Sequence, residues 1–445
     1  MALPHSILIV GGGVFGLSTA LSLSKRHPTS QITLIESSPT IPNPYGSSVD
    51  ASRIVRADYT HAAYAKLAAA AVQCWRSTEW GQEGRYTENG LLFVCPNNAS
   101  SAEQYVRMCY KNVMRMEDEK EKVQDLPTRA DVEKVLSRYG AETNNNIIRG
   151  YVNWGSGWSD AEAGVRFARK KLEDTGKVVF KTGNVERILF LGELGQRDVD
   201  SSRPLCEVKG VLLSDGTIIN AGLTILATGA WTPQLVDLRG IAQATGQVIT
   251  YIRITDDEQQ RLKDMPTILN FATGVAFMPP RNNLFKVSRS SYGYRNPKQL
   301  SIPAANVDSR EVMEISIPEV GLQVPPEGQG ACRKALKELF PWLADRPFHN
   351  TRICWYTDTR KGDFLITHHP DHPNLFLATG GSGHGYKFLP VLGDKIVDAI
   401  EGKLEPELQE LWKWPNLIEN EQRIEFDGTD DGGRSGRKGM ILARL

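Results

Sequence analysis

Gly11-Gly12-Gly13-Val14-Phe15-Gly16 follows directly on a short apolar run, Ser6–Val10, and opens a stretch with helical spacing, residues 17–25. Gln31 to Ile35 then reads as a second strand, and Glu36 stands at its tip, twenty residues after Gly16. Strand, glycine turn, helix and strand make one βαβ unit carrying a G-x-G-x-x-G fingerprint. Gly11 makes the tight turn, Gly13 lets the backbone approach a pyrophosphate, and Gly16 lets the helix pack on the strand. The helix start offers N–H groups and the positive end of a dipole to phosphates. A carboxylate at Glu36 accepts from ribose hydroxyls and repels a 2′-phosphate, which fits FAD or NAD and excludes NADP.

The chain has 445 residues, too many for one ordinary core, so two domains are expected. Lysine plus arginine equals aspartate plus glutamate, 52 against 52. That balance gives no clustered positive field for nucleic acid or an anionic membrane. No apolar stretch approaches the length of a membrane span, and the N-terminus lacks the basic region of a secretory signal. The cysteines at 74, 95, 109, 206, 332 and 354 form no Cys-x-x-Cys pair, so free thiols in a reducing compartment fit them.

The choice between FAD and NAD turns on later segments. Leu223-Thr-Ile-Leu-Ala-Thr-Gly229 is an apolar strand running into Ala-Thr-Gly, as in flavoproteins of the glutathione-reductase type. An NAD dehydrogenase would finish its nucleotide domain in one stretch, whereas here the pieces are scattered, which favours FAD. The expected fold is therefore mixed α/β. A Rossmann-like FAD domain (1–90, 150–235 and 350–415) is interleaved with a substrate domain on a mixed or antiparallel sheet (91–149 and 236–349). Residues 416–445 are left as a tail. The polar, glycine-rich segment 427–438 is expected to be mobile. The charged run 116–122 reads as an exposed helix face. His368, His369 and His372 have no standard zinc spacing, and read as a loop without metal.

Four segments together resemble the sarcosine oxidase family, which includes pipecolate, saccharopine and fructosyl-amino-acid oxidases (amadoriases). They are the fingerprint, Gly46-Ser-Ser-Val-Asp-Ala-Ser-Arg53-Ile-Val-Arg56, the strand Arg352-Ile-Cys354-Trp-Tyr, and Gly380-Gly-Ser-Gly-His-Gly-Tyr-Lys387. The resemblance implies FAD joined through its 8α-methyl group to Cys354. A thiolate is a strong soft nucleophile, and Arg352 is a nearby cation that suits it. It further implies cofactor contacts from Gly11, Gly13, Val14, Phe15, Gly16, Glu36, Ser47, Ser48, Ser52, Arg53, Thr228, Gly229, Trp231, Gly381, Gly383, His384, Gly385 and Lys387. Arg53 is expected against the flavin ring, Arg56 and Lys387 on the substrate carboxylate, and Lys286 beside flavin N5 where oxygen is reduced. Arg53 and Arg56 are three apart, a spacing that on a helical turn puts both on one face.

The implied activity is FAD-dependent oxidation of a secondary-amine α-amino acid to an imine, with oxygen reduced to hydrogen peroxide. Ser290, His384 and Arg53 stand where amadoriases carry glutamate, arginine and lysine, which points away from fructosyl substrates. Ser48, Val49 and Ser290 also depart from a histidine pair of sarcosine oxidase, leaving pocket polarity and substrate side chain open. An amadoriase, a specialised N-methyl amino acid oxidase, an NAD-linked dehydrogenase and a catalytically silent FAD protein are the other readings. The expected partners are a small amino acid and oxygen, with the chain a monomer. Ala443-Arg444-Leu445 is a loose version of a peroxisomal import signal, read by an import receptor; without it the cytoplasm is expected.

Overall fold

Ile7, Leu8, Ile9 and Val10 are all buried, so this strand is covered on both faces. In the computed structural model it lies inside a six-stranded sheet, in the order 365–368, 375–379, 223–226, 6–10, 31–36 and 178–182. Its pairings are parallel except between the first two strands. The structure describes residues 3–96, 100–144, 147–190, 207–303, 310–416, 426, 428–430 and 433–442. Ile7 and Ile9 pack with Leu17, Val165 and Ile396, from the helices Val14–Arg26, Ala161–Thr175 and Leu392–Ile400. Leu8 and Val10 point the other way, onto Val211 and Leu213 of a three-stranded sheet formed by 185–190, 208–213 and 218–220. Among the described residues no helix is long and apolar enough to cross a membrane.

The first helix lies close on the turn before it. A Cβ at Gly16 would stand 1.9 Å from the carbonyl oxygen of Gly11. Gly16→Ala is therefore expected to destabilise the fold by about 2 kcal/mol or more, since backbone must move to admit the methyl group. Chemical denaturation checks this, and unchanged stability would remove the packing role of Gly16.

A second sheet of nine strands runs 348–359, 242–253, 284–295, 275–281, 267–270, 91–95, 149–153 and 123–126, with 440–441 paired to 284–295. It is mixed: 267–270 pairs with 91–95, and 440–441 with 284–295, in parallel, while the other pairings are antiparallel. Helix Pro326–Leu339 closes the core behind it, with Leu336 and Leu339 against Val248, Phe285 and Val287. Strand Phe348–Thr359, placed by sequence with the FAD domain, belongs to this sheet, and Cys354 sits opposite Gln247.

Three expectations need correction. The segment from Arg53 to Arg56 is not helical: Arg53–Val55 is a strand paired to Gly157–Ser159. The run 116–122 is not one exposed helix face either: only Lys120–Lys122 makes a short 3-10 turn. Helix Ser101–Val113 ends before it, and Glu119 is buried with its carboxylate on Arg76 at 3.0 Å. Parts of the tail are packed rather than free, with Phe426, Thr429, Arg434 and Met440 all buried. Cys206 and Ala443-Arg444-Leu445 lie outside the described residues.

Candidate active site

Two cavities meet where the sheets join. The first, about 1390 Å³ including its opening to solvent, runs along the glycine turn and the C-terminal ends of the parallel strands. It is lined by Gly11, Gly13, Val14, Phe15, Glu36, Ser47, Ser48, Arg53, Thr228, Gly229, Trp231, Gly381, Gly383 and Gly385, so most of the predicted cofactor residues come together there. The switch region of an α/β sheet is where dinucleotides bind. Gly11 has φ +107°, and a Cβ there would press on the carbonyl of Ala227 at 2.4 Å. Helix Val14–Arg26 begins without a side-chain cap, while Val14 N–H donates to Ser48 Oγ at 3.2 Å. Glu36 accepts from Gly12 N–H at 2.8 Å and from Asn43 Nδ2 at 2.9 Å, so its carboxylate is fixed at the mouth. Gly16 does not line the cavity; its place is in the helix packing.

The second cavity, of about 1310 Å³, shares Arg53, Tyr356, Gly383 and Tyr386 with the first. Ser52, Arg56, Lys286, His384 and Lys387 line this one, with Tyr59, Tyr105, Ser288 and Ser290. Ser52, Ile54 and Arg56 line only the second cavity, whereas Arg53, on the alternate side of this extended stretch, also lines the first. Ser52, His384 and Lys387, expected at the cofactor, thus stand on the neighbouring cavity.

Two cations converge on one aromatic ring there. The guanidinium of Arg56 lies 4.7 Å from the Tyr59 ring centre, and Lys387 Nζ lies 5.2 Å from it. Arg56 Nη2 donates to Tyr105 Oη at 3.5 Å, while its Nη1 is buried with no hydrogen-bond partner. Lys387 Nζ donates to Tyr59 Oη at 2.8 Å and to the His384 carbonyl at 2.7 Å. His384 Nε2 must carry its hydrogen to reach the Gly362 carbonyl at 2.9 Å, so Nδ1 accepts from Tyr59 O–H at 3.0 Å. Burial and then the neighbouring Arg56 push Lys387 well below the usual lysine range, and burial followed by Lys387 does the same to His384. A buried donor and a weakened ammonium call for an anion between them.

A second polar cluster joins the cavities. Arg53 Nη2 donates to Cys354 Sγ at 3.1 Å, so the cation on the sulfur is Arg53. Arg352, expected in that role, donates to the Val49 carbonyl at 2.7 Å. Cys354 is 2% exposed and stands behind Arg53 rather than in the lining of either cavity. Lys286 is buried in strand Leu284–Arg295, and its Nζ donates to Asp50 Oδ2 and the Ser52 carbonyl, both at 2.7 Å. Tyr251 O–H donates to Asp50 Oδ1, and Arg53 Nη2 lies 3.3 Å from Oδ2. Burial alone would raise the Asp50 carboxyl, but Lys286, Arg53 and Arg352 outweigh it and hold it far below the carboxylate range. Burial, helped by Arg53 and Arg352, outweighs Asp50 and brings Lys286 down to about 8. Lys286 and Asp50 stand as a buried ion pair 2.7 Å apart. Asp50, Tyr59 and Tyr105 were missed by sequence reasoning; the one available signal was an acid inside the segment 46–56.

Residues 6–399 match the family described as FAD dependent oxidoreductase. The chain belongs to that family. The flavoprotein is 32% identical to the Aspergillus flavus amino acid oxidase imqH, over 93% of this chain and 98% of that one. It is 29% identical to the L-saccharopine oxidase of Schizosaccharomyces pombe, over 92% and 93%. The crystal structure of amadoriase II, a fructosamine oxidase from Aspergillus fumigatus, superposes with a TM-score of 0.79 at 28% identity, covering 100% of this chain and 96% of that one. The first cavity suits the flavoprotein's cofactor on its own terms: bare glycine backbone, the N-terminal end of a helix and a fixed carboxylate. FAD brings a two-electron acceptor to such a site.

The pH dependence of ligand binding follows from Lys387. Without an anion its ammonium is disfavoured by burial and by Arg56; a bound carboxylate supplies the missing counter-charge. Binding then takes up a proton, and affinity for a carboxylate is expected to fall as pH rises through and above neutrality. Dissociation constants measured across that range check this, and affinity that stays flat or improves would contradict it.

Proposed function

We propose that the protein oxidises the secondary amine of an α-amino acid, with FAD tethered through its 8α carbon to Cys354 and oxygen as the final acceptor. The observation that carries this reading is the buried, unpartnered Nη1 of Arg56, close to the same Tyr59 ring as Lys387. Guanidinium is the fork that matches a carboxylate, and Lys387 adds a point charge. Arg56 and Lys387 hold the carboxylate, and Tyr59 keeps Lys387 pointed at it through a one-directional chain ending on Gly362. The amine must bind unprotonated, and two buried cations disfavour a third charge beside them. The substrate loses one C–H hydrogen with two electrons and one N–H proton, and water then hydrolyses the imine. Oxygen takes the two electrons and two protons and leaves as hydrogen peroxide. Holding the reacting C–N bond in place supplies much of the rate.

On this reading Lys286, held by Asp50 and Ser52, keeps a positive charge beside the reacting region. The names of the amino acid oxidase and the L-saccharopine oxidase to which the chain is similar support an amino acid as the substrate. Export of peroxide chemistry into peroxisomes through Ala443-Arg444-Leu445 is part of the same proposal. The test is oxygen uptake and peroxide release with a panel of N-alkyl amino acids, each paired with its decarboxylated amine. Turnover of the acids and not of the amines is expected. No turnover with any acid, or equal rates for both members of a pair, would overturn the reading.

A further inference from the structure

Residues 433–442 run beside strand Leu284–Arg295. Ser435 bridges to Ser291, and Met440 and Ile441 pair with Tyr294 and Arg295. Where this stretch begins, Gly433 and Arg434 line the second cavity. Arg434 is 7% exposed and donates to Asp358 Oδ1 at 2.8 Å, the Ser382 carbonyl at 3.0 Å and the Ser291 carbonyl at 3.2 Å. Ser290 Oγ lies 3.4 Å from its Nη1, and its guanidinium sits 5.3 Å from the Tyr356 ring centre. These partners come from the strand bearing Cys354, the glycine loop 380–385 and the strand bearing Lys286. Gly433 touches a fourth element: a Cβ there would stand 3.0 Å from the Tyr105 ring, and Tyr105 Oη accepts from Arg56.

We propose that the C-terminal segment is a wall of the substrate cavity, with Gly433 and Arg434 as positioning residues. Gly433 leaves room for the Tyr105 ring and so sets where Arg56 points. Arg434 pins the glycine loop to the strands on either side of it. Its own charge is answered by Asp358, so it binds no substrate anion. A buried ion pair is a weak source of stability but a directional one, which suits positioning. This inference rests on the reading that the cavity receives an amino acid carboxylate.

The main test is Gly433→Ala in the holoenzyme, where the three nearest neighbours of the added Cβ would all be Tyr105 ring and hydroxyl atoms. The added methyl presses on Tyr105, and the dissociation constant for propionate, read from the flavin absorbance, is expected to rise about tenfold. Melting temperature and flavin content stay at the wild-type level. Arg434→Lys keeps a charge for Asp358 but cannot serve the Ser382 and Ser291 carbonyls together; KM is expected to rise about tenfold with kcat changed far less. If both variants bind propionate and substrate as the wild type does, the wall is overturned while the functional reading stands. If the wild type binds no carboxylate at all, the reading falls and the wall with it.

Discussion

Arg56→Met is expected to lower kcat/KM for the amino acid substrate by about a hundredfold or more, since truncating one partner of a buried charge pair removes about 2–5 kcal/mol. The loss should appear mainly in KM, because the carboxylate is held alike before and during the reaction. Lys387→Met should give a loss of similar kind. The double variant should fall short of the product of the two, as both groups grip one ligand. The geometry behind this is specific: Arg56 has a buried nitrogen without a partner, and Lys387 spends its hydrogen bonds on Tyr59 and a carbonyl. Steady-state kinetics on folded, flavin-loaded variants decide it. A change below about threefold in either would mean that the carboxylate binds elsewhere.

Cys354→Ser is expected to abolish covalent flavin entirely, so that acid precipitation of the variant leaves a colourless pellet while the wild type stays yellow. A thiolate, not a thiol or an alcohol, is the nucleophile; the S–C bond would replace a C–H bond of the 8α-methyl group, whose proton is released while two electrons would pass through the flavin to oxygen. Cys354 is buried, and Arg53 Nη2 stands 3.1 Å from the sulfur. Arg53→Met should consequently slow attachment while leaving the thiol in place. A yellow pellet from Cys354→Ser would place the tether elsewhere, and a colourless wild-type pellet would remove it.

What sequence conveyed well was whatever is local. The βαβ unit, the carboxylate at Glu36, the apolar strand at 223–226 and the glycine loop before Lys387 each lie within one short segment, where spacing and residue type constrain structure directly. The placement of Cys354 on a strand was legible for the same reason. What sequence obscured are groups whose partners come from far along the chain. Asp50 meets Lys286 across 236 positions, and Tyr59 meets Lys387 across 328. No periodicity records such a pairing. The extended course of Arg53–Val55 arises from pairing with Gly157–Ser159, which overrides the helical spacing of the two arginines. Segment 427–438 has the composition of a free tail, yet Arg434 within it is buried on Asp358, Ser382 and Ser291, partners from distant segments that local polarity does not reveal.

The central claim is that an anion site built on Arg56 and Lys387 lies against the flavin. Its most direct test is titration of the oxidised holoenzyme with propionate, an acid that has no amine to lose, while the flavin absorption band is followed. A saturable shift of the band that is absent with propanol and absent in Arg56→Met is predicted. A flavin spectrum indifferent to propionate, or one that responds equally to the alcohol, would contradict the account.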